Sequence, residues 1–200
     1  MKVPHILFVC TGNTCRSPMA EGLFRRLTER QGKRWEIRSA GVAAASGAPV
    51  SQHTATVLQA RGAYNKQRSA GLTGEQVAWA DLILTMTSNH KFTVIRRFPE
   101  SMDKTFTLKE FVEDDPKVLD IRAELGALES ELQIKAALSE RIGERELKRL
   151  DELERQLPDL DIVDPFGGSF QDYESCAIEL ERALHKLLVK LEEEERRGGG

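Results

Sequence analysis

The residues of this chain that could do chemistry stand close together in the stretch 9–18, VCTGNTCRSP. An apolar run typical of a buried strand stops at Cys10, while Ser17 and Pro18 are typical of a helix start, with Ser17 as the N-cap. A strand, a short loop and a helix N-terminus bring backbone N–H groups and the helix dipole to one point, which makes an anion site. The positive potential there would stabilise a Cys10 thiolate, and Arg16 could hold two phosphate oxygens with its planar guanidinium. The stretch therefore predicts a nucleophile, an oxyanion site and a clamp in one loop.

The spacing Cys-x5-Arg is weak evidence by itself, because any arginine-rich chain produces it by chance. It gains weight here because Ser-Pro follows it and because it lies between an apolar strand pattern and an amphipathic helix pattern. The alternative is a buried cysteine that ends a strand ahead of an ordinary loop. The flanking patterns favour the phosphate site.

Length and composition favour one domain over residues 1–200. The net charge of −3 provides no basic field for nucleic acid or a membrane surface. Three unevenly spaced cysteines do not form a disulfide framework, and the apolar run near the N-terminus is too short for a signal peptide or a span. We therefore expect a soluble cytoplasmic protein without nucleic-acid or membrane partners. No metal-ligand cluster is visible, so no metal site is expected, and His53 and His90 are predicted to be surface or capping residues.

Strand patterns alternate with helix patterns along the chain. The predicted strands cover 6–9, 35–40, 81–85 and 104–108, and the predicted helices cover 18–30, 51–61, 73–79, 88–98 and a long segment after residue 169. This order predicts an α/β fold, a doubly wound parallel four-stranded sheet with helices on both faces. The loop after the first strand then lies at the carboxyl edge of the sheet, where such folds bind ligands.

A helical, hairpin-like insertion is predicted at residues 117–160, where Glu, Arg, Lys and Leu dominate the composition. Leucines recur there at helical spacing, and Gly143 offers a turn between two helices. The predicted inward stripe is Leu125, Leu128, Leu132, Leu147, Leu150 and Leu157. The mixed charge pattern favours a solvated arm that packs its leucines against itself. Docking of a partner or substrate on 117–160 stays open as the alternative.

Asp164-Pro165-Phe166-Gly167-Gly168 is a loop by composition and precedes the last predicted helix. One interpretation is a turn with Ser169 as the N-cap of that helix. The other is a carboxylic acid that a rigid turn presents beside an aromatic side chain.

These motifs resemble the low-molecular-weight protein phosphatase family over most of the chain outside the insertion. Two separated catalytic motifs in the family's order carry the resemblance, and shorter matching segments lie between them. The matching segments are 8–10, 12–13, 15–21, 38–41, 80–84, 106–110 and 164–168. Within the family the chain looks most like the bacterial protein-arginine phosphatases, which have Thr where tyrosine-specific members carry a bulky aliphatic residue in the loop. That position is Thr14 here.

The resemblance implies a hydrolase that removes phosphate from phosphoarginine, or from phosphotyrosine, on proteins. It implies catalytic roles for Cys10 as the nucleophile that forms a cysteinyl-phosphate, for Arg16 as the clamp and for Asp164 as the general acid and base. It also implies that no metal or other cofactor takes part. The residues that it places around the substrate are Thr11, Gly12, Asn13, Thr14, Cys15, Ser17 and Phe166, with Ser17 beside the thiolate and Asn13 and Ser39 bracing the loop.

Three features depart from the family pattern or compete with it. Asn65-Lys66-Gln67 stands where family members often carry a histidine that supports the phosphate loop, so the sequence does not predict that support. Asp115-Pro116 is a second Asp-Pro pair, which we reject as the acid because no Phe-Gly-Gly follows it. The extra central cysteines of arsenate reductases of similar fold are missing, since Cys176 is the only cysteine beyond the loop.

Two alternatives to a phosphoarginine phosphatase remain open. One is a low-molecular-weight protein-tyrosine phosphatase, and the other is a phospho-residue-binding module without turnover. The presence of both Cys10 and Asp164 argues against a pure binder. Cys15 is either a small buried residue or a redox partner that forms a reversible disulfide with Cys10.

Overall fold

The computed structural model describes residues 4–197 and contains four strands. They are β1 (His5–Cys10), β2 (Glu36–Gly41), β3 (Leu82–Thr85) and β4 (Thr105–Thr107). All pair in parallel in the order β2-β1-β3-β4. The predicted α/β fold with a parallel four-stranded sheet is therefore confirmed. Strand β1 lies between β2 and β3, so the chain passes from one side of β1 to the other when it runs from β2 to β3. The strand order reverses at this point, and open α/β sheets bind ligands at the carboxyl ends of the strands there.

Helices pack on both faces of this sheet. They are α1 (Arg16–Arg30), α2 (Gln52–Ala60), α3 (Gly74–Trp79), α4 (Ser88–Arg97), the four-residue α5 (Leu108–Phe111) and, at the end of the chain, α8 (Phe170–Arg197). A 3-10 helix, Pro99–Lys104, precedes β4. The predicted capping box of Thr73 and Gln76 at α3 is confirmed, as is Ser51 as the N-cap of α2.

The side chains of β1 alternate between two hydrophobic clusters, as the two-residue period of a strand requires. Ile6 and Phe8 lie in the larger cluster with residues of α1, α2 and α8. Leu7 and Val9 lie in the smaller cluster with residues of β3, α3 and α4. All four of these side chains are fully buried. Because β1 anchors both halves of the core, the loop that leaves its carboxyl end starts from a fixed position.

The predicted inward face of the last helix is confirmed. Tyr173, Ala177, Leu180, Leu184 and Leu187 are all buried in the larger cluster. Ser169 directly precedes α8 and its carbonyl accepts the Tyr173 N–H at 3.4 Å, so it occupies the N-cap position that one interpretation of the sequence predicts. Its hydroxyl and its N–H both donate to Asp172 Oδ2 at 2.7 Å, and the bond from the N–H is the half of a capping box that the third helical residue supplies.

The chain divides into two compact units, the second of which is residues 113–159. This second unit holds α6 (Pro116–Ala137) and α7 (Glu144–Glu154), which pack on each other as a hairpin. Gly143 directly precedes α7, as the sequence predicts. The leucine stripe is wrong at one position, because Leu147 is half-exposed, whereas Leu153, outside the predicted stripe, is buried.

Replacing residues 118–157 with a Gly/Ser linker should leave a folded enzyme that hydrolyses para-nitrophenyl phosphate. The two hydrophobic clusters of the first unit contain no residue of 113–159, and the free energy of closing a flexible loop rises only slowly with its length. Circular dichroism and the hydrolysis rate measure the two outcomes. Loss of cooperative unfolding would show that leucines of the insertion belong to the main core.

Candidate active site

The loop 11–15 joins β1 to α1 and places Cys10 and Arg16 at its two ends. Helix α1 begins one residue earlier than its predicted cap, at Arg16, with Cys15 in the N-cap position and no side-chain cap. Ser17 is therefore inside the helix and completely buried, so its predicted N-cap role is wrong. The reason is that its hydroxyl is engaged by the loop itself.

Four backbone carbonyl groups of residues 10–15 point away from the centre of the loop, and each accepts a hydrogen bond from a backbone N–H of the surrounding structure. Two are held by the chain that continues β2, one by the start of α2 and one by α1. The bonds are Val42 N–H to Cys10 O at 2.9 Å, Ala43 N–H to Thr11 O at 3.0 Å, Ser51 N–H to Thr14 O at 2.9 Å and Met19 N–H to Cys15 O at 3.1 Å.

The N–H groups that follow these carbonyls must point the opposite way, since a trans peptide directs its N–H and C=O to opposite sides. They belong to Thr11, Gly12, Cys15 and Arg16. Within the described range 4–197, none of these N–H groups has a hydrogen-bond acceptor in the protein. Together with the N-terminus of α1 they form an anion site of the kind that binds phosphate.

Gly41, at the end of β2, allows the second strand to approach this loop. A β-carbon at Gly41 would lie 2.5 Å from the Thr11 carbonyl oxygen and 2.9 Å from the Asn13 nitrogen. Contacts this short do not occur for real side chains, so the position requires glycine.

Asn13 holds the loop from behind. It is buried, its φ of 52° lies in the left-handed region, and asparagine is one of the few residues that adopt this conformation readily. Its side-chain amide donates to Ser17 Oγ and to Ser39 Oγ, each at 2.8 Å, while its carbonyl oxygen accepts the Ala70 N–H at 2.8 Å. Ser39 in turn donates to the Glu21 carboxylate at 2.5 Å. Every polar atom of the Asn13 side chain is thus bonded.

Ser17 and the Asn13 backbone both reach the sulfur of Cys10. The Sγ–Oγ distance to Ser17 is 3.0 Å, and the Asn13 N–H donates to Sγ at 3.3 Å. Because Ser17 Oγ already accepts from the Asn13 amide, its own proton is free to donate to Sγ, with the Ala40 carbonyl as the other acceptor at 3.3 Å. Donation to sulfur stabilises a thiolate.

The segment that departs from the family pattern supports the loop in another way. Gln67 Nε2 donates to the Pro18 carbonyl at 3.2 Å, in the first turn of α1. The Ala70 N–H, three residues on, holds the Asn13 side chain. In this chain Gln67 therefore bonds to the first turn of α1, and the Ala70 amide bonds to the loop itself.

Arg16 is buried and bonds to the segment that carries Asp164. Its guanidinium donates to the Ile162 carbonyl at 3.2 Å and to Asp164 Oδ2 at 2.7 Å. This segment is tied to the end of β3, because the Ile162 N–H donates to the Met86 carbonyl at 2.8 Å. The fold thus brings Arg16, the predicted clamp, and Asp164, the predicted acid, together, although 148 positions of sequence separate them.

The competing aspartate has another task. Asp115 is the N-cap of α6 and accepts the Lys117 N–H at 2.9 Å. Such a cap is a common structural use of aspartate.

Phe166 presents its ring to solvent with 77% of its surface exposed. Its N–H donates to Asp164 Oδ1 at 3.2 Å, and the Gly168 N–H closes the turn on the Pro165 carbonyl at 3.0 Å. Gly167, with a φ of 78°, supplies the left-handed residue that this turn needs. The turn therefore sets an apolar ring beside a half-exposed carboxylate.

Cys15 is a buried thiol whose sulfur lies 3.3 Å from Tyr173 Oη and 3.6 Å from Thr14 Oγ1. Burial, and then the hydrogen bond to Cys15, raise the pKa of Tyr173 to about 12, so the tyrosine stays protonated and can donate to that sulfur. Cys10 and Cys15 are both free thiols. Their reversible disulfide stays a prediction. Burial raises the pKa of Cys176 to about 12, which makes that thiol unreactive.

His90 contacts the phosphate loop, whereas the sequence predicts a surface or capping residue. The residue is 5% exposed, and its ring Nε2 lies 2.8 Å from Thr11 Oγ1 in the loop. One signal was available, since His90 follows the carboxyl end of a predicted strand and neighbouring parallel strands end at the same edge of a sheet. His53 packs its half-buried ring against Phe170 and Tyr173.

No helix within residues 4–197 combines the length and the apolar character that crossing a membrane requires.

Comparisons with known proteins agree with this geometry. The family described as low molecular weight phosphotyrosine protein phosphatase matches residues 5–131. A protein-arginine-phosphatase of Geobacillus stearothermophilus is 38% identical, over 96% of this chain and 98% of its own. The solved structure of the YwlE arginine phosphatase from the same organism matches with a TM-score of 0.71 and 37% identity, over 97% of this chain and 96% of that one. A YwlE arginine phosphatase variant with a phosphorylated active-site serine matches with a TM-score of 0.71 and 33% identity, over 96% of this chain and 98% of that one.

The site combines three features on a parallel sheet. They are a cysteine at the carboxyl end of the first strand, four inward N–H groups and a buried arginine. Together they are features of a cysteine-dependent phosphatase, which is a hydrolase. The chain belongs to the low molecular weight phosphotyrosine protein phosphatase family.

Asp164→Asn should slow hydrolysis of phosphate esters with poor leaving groups by about 10²–10⁴-fold and affect good leaving groups far less, because proton donation matters most for the former. The measurement is kcat/KM for a series of aryl phosphates of increasing leaving-group pKa.

Asp115→Asn is the matched control, since it changes the same functional group in the other Asp-Pro pair. It should leave the leaving-group dependence unchanged. The assignment of Asp164 is wrong if Asp115→Asn produces the steep dependence instead.

Proposed function

We propose that this chain is a protein-arginine phosphatase that hydrolyses phosphoarginine on proteins through a cysteinyl-phosphate intermediate. The observation that carries the proposal is Thr14, a half-buried polar residue in the phosphate loop at the position where tyrosine-specific members of the resembling family carry a bulky aliphatic side chain. The similarity to a relative named protein-arginine-phosphatase over 96% of the chain supports it.

In the first step the Cys10 thiolate attacks phosphorus in line with the bond to the leaving nitrogen. A P–S bond forms, the P–N bond breaks, and Asp164 gives its proton to the departing guanidine nitrogen. Arg16 and the four inward N–H groups hold the equatorial oxygens, where negative charge concentrates in the transition state. The phosphoryl oxygens replace Asp164 as the partner of the Arg16 guanidinium.

In the second step Asp164, now a carboxylate, takes a proton from water as that water attacks phosphorus. The P–S bond breaks, inorganic phosphate leaves, and Cys10 returns to the thiolate. Ser17 assists this step because its hydroxyl, 3.0 Å from the sulfur, donates to the charge that returns there. The chain's own cation and amide donors supply the positive charge that the reaction needs.

The mouth of the site suits a planar, nitrogen-rich leaving group. The exposed ring of Phe166 offers a face on which a guanidinium can stack, and Asp164 beside it can accept guanidinium N–H bonds. Phosphotyrosine is the second candidate, because the same ring can also pack against an aromatic side chain. A binding module without turnover is disfavoured, since nucleophile, clamp and acid all converge here.

The substrates are phosphorylated proteins. The unit 113–159 pairs its own charges, among them Arg149 with Glu124 at 2.9 Å and Lys135 with Glu131 at 2.8 Å. This self-pairing supports a solvated arm, and docking of partners on 117–160 stays a prediction.

Thr14→Ile should shift preference from phosphoarginine towards phosphotyrosine. The side chain sits in the loop that wraps the phosphate, so it meets the group bonded to phosphorus. Leaving a guanidine N–H without its hydroxyl partner costs about 1–3 kcal/mol, so we expect a change of about 5- to 150-fold in the ratio of kcat/KM for phosphoarginine and phosphotyrosine peptides.

Thr14→Val is the matched control, because it removes the hydroxyl and keeps the size of the side chain. It should lower turnover of phosphoarginine without the gain for phosphotyrosine that the larger isoleucine provides. An unchanged ratio in Thr14→Ile, or a wild type that already prefers phosphotyrosine, returns the chain to the tyrosine-phosphatase alternative.

A further inference from the structure

His90 connects the start of α4 to the phosphate loop. Its backbone N–H donates to Thr87 Oγ1, the N-cap of the helix, at 3.2 Å. Its ring Nδ1 lies 2.8 Å from the same Thr87 oxygen, and its ring Nε2 lies 2.8 Å from Thr11 Oγ1. Among residues 4–197 each ring nitrogen has one hydrogen-bond partner in the protein, and because His90 is buried the ring has little access to water.

The direction of these bonds follows from the proton count at Thr87. Its hydroxyl oxygen already accepts the His90 N–H, and its single proton has the ring Nδ1 as a close acceptor. With Nδ1 accepting, a neutral imidazole carries its proton on Nε2. Nε2 therefore donates to Thr11 Oγ1. The opposite tautomer would direct two N–H donors at the Thr87 oxygen and leave the hydroxyl proton without this acceptor.

The surrounding charges keep the ring neutral. Burial, and then the positive charge of Arg16, lower the pKa of His90 to about 4, although the carboxylates of Asp164 and Asp161 act in the other direction. Its place in the first turn of a helix also disfavours a positive charge. At neutral pH the ring consequently has one donor nitrogen and one acceptor nitrogen.

We propose that His90 is a positioning residue for the phosphatase reaction: its Nε2–H holds the Thr11 side chain so that the Thr11 hydroxyl donates to an oxygen of the bound phosphoryl group. The proposal rests on the proposed function and adds a residue outside the loop to it. Thr11 directly follows the nucleophile, and its own N–H is one of the four that point inward. A hydroxyl that accepts from His90 keeps its own proton, and the exposed position of Thr11 leaves that proton free for the phosphoryl group.

The test compares two amide variants that differ in reach. In His90→Gln the side-chain amide lies near the position of Nε2 and can still donate to Thr11, whereas in His90→Asn it lies near Nδ1 and cannot reach. We expect His90→Asn to lose about tenfold in kcat/KM for a phosphoarginine peptide and for para-nitrophenyl phosphate, and to weaken inhibition by inorganic phosphate by a similar factor. His90→Gln should stay within about threefold of wild type.

A double-mutant cycle with Thr11→Val separates positioning from a general structural effect. If His90 acts through the Thr11 hydroxyl, Thr11→Val alone loses about tenfold and adding His90→Asn to it loses little more. A multiplied loss of about a hundredfold in the double variant overturns the proposal, as does a His90→Asn enzyme that equals wild type. Thermal unfolding of each variant identifies losses that come from destabilisation.

Long-range proton–nitrogen NMR spectra of the wild-type histidine rings give a readout that does not depend on any variant folding. The proposal requires a neutral His90 ring protonated at Nε2 at pH 7, and a ring protonated at Nδ1 overturns it. A wild type that hydrolyses para-nitrophenyl phosphate but not phosphoarginine would refute the proposed substrate and leave the His90 measurements valid.

Discussion

The active site depends on one buried amide. Asn13 has a left-handed backbone conformation, and its side chain makes three hydrogen bonds. These bonds connect the phosphate loop to Ser17 in α1, to Ser39 in β2 and to the Ala70 N–H. Its donation to Ser17 Oγ sets the direction of the serine proton, which is then available to the Cys10 sulfur. Removing this amide would leave two buried hydroxyls and a backbone N–H short of a partner, each at a cost of about 1–3 kcal/mol. Cys10, the predicted nucleophile, is thus positioned by a side chain whose own hydrogen bonds go to Ser17, Ser39 and the Ala70 N–H.

The parallel sheet supplies the rest of the arrangement. Strand β1 ends with Cys10 at the carboxyl edge of the sheet, and β3 pairs with it. The chain that follows β3 contacts the site twice: the Met86 carbonyl accepts the Ile162 N–H, and the His90 ring bonds to the Thr11 hydroxyl. The predicted nucleophile, Cys10, and the predicted clamp, Arg16, lie at the two ends of one loop, whereas the predicted acid, Asp164, comes from a segment 148 residues beyond Arg16 that the fold brings next to this loop. This agrees with the rule that open α/β sheets bind ligands where the strand order reverses.

Local patterns in the sequence were sufficient to predict the sheet, the loop and the inward face of α8, because each depends on short-range periodicity or on a spacing within one motif. Side-chain bonding between distant segments was not predictable in the same way. Ser17 has the residue type of an N-cap, yet Asn13 and Cys10 engage its hydroxyl inside the helix. The sequence predicts His90 as a surface or capping residue, because its ring partner Thr11 lies 79 residues away and no local pattern connects the two. Leu147 follows the helical stripe and is nevertheless half-exposed. The stripe predicts which leucines share a helix face, but it does not predict which of them a partner helix covers.

The most direct test of the mechanism is to trap the phosphoryl group on the enzyme during a single turnover of a phosphoarginine peptide. Rapid quenching, digestion and tandem mass spectrometry of the tryptic peptide that ends at Arg16 distinguish Cys10 from Cys15, and Cys10→Ser serves as the control that should show no turnover. Transient phosphorylation of Cys10, formed and lost at the rates of phosphate release, is the predicted result. Turnover with the phosphoryl group on Cys15 or His90, or with no phosphorylated enzyme at any time, would contradict the account.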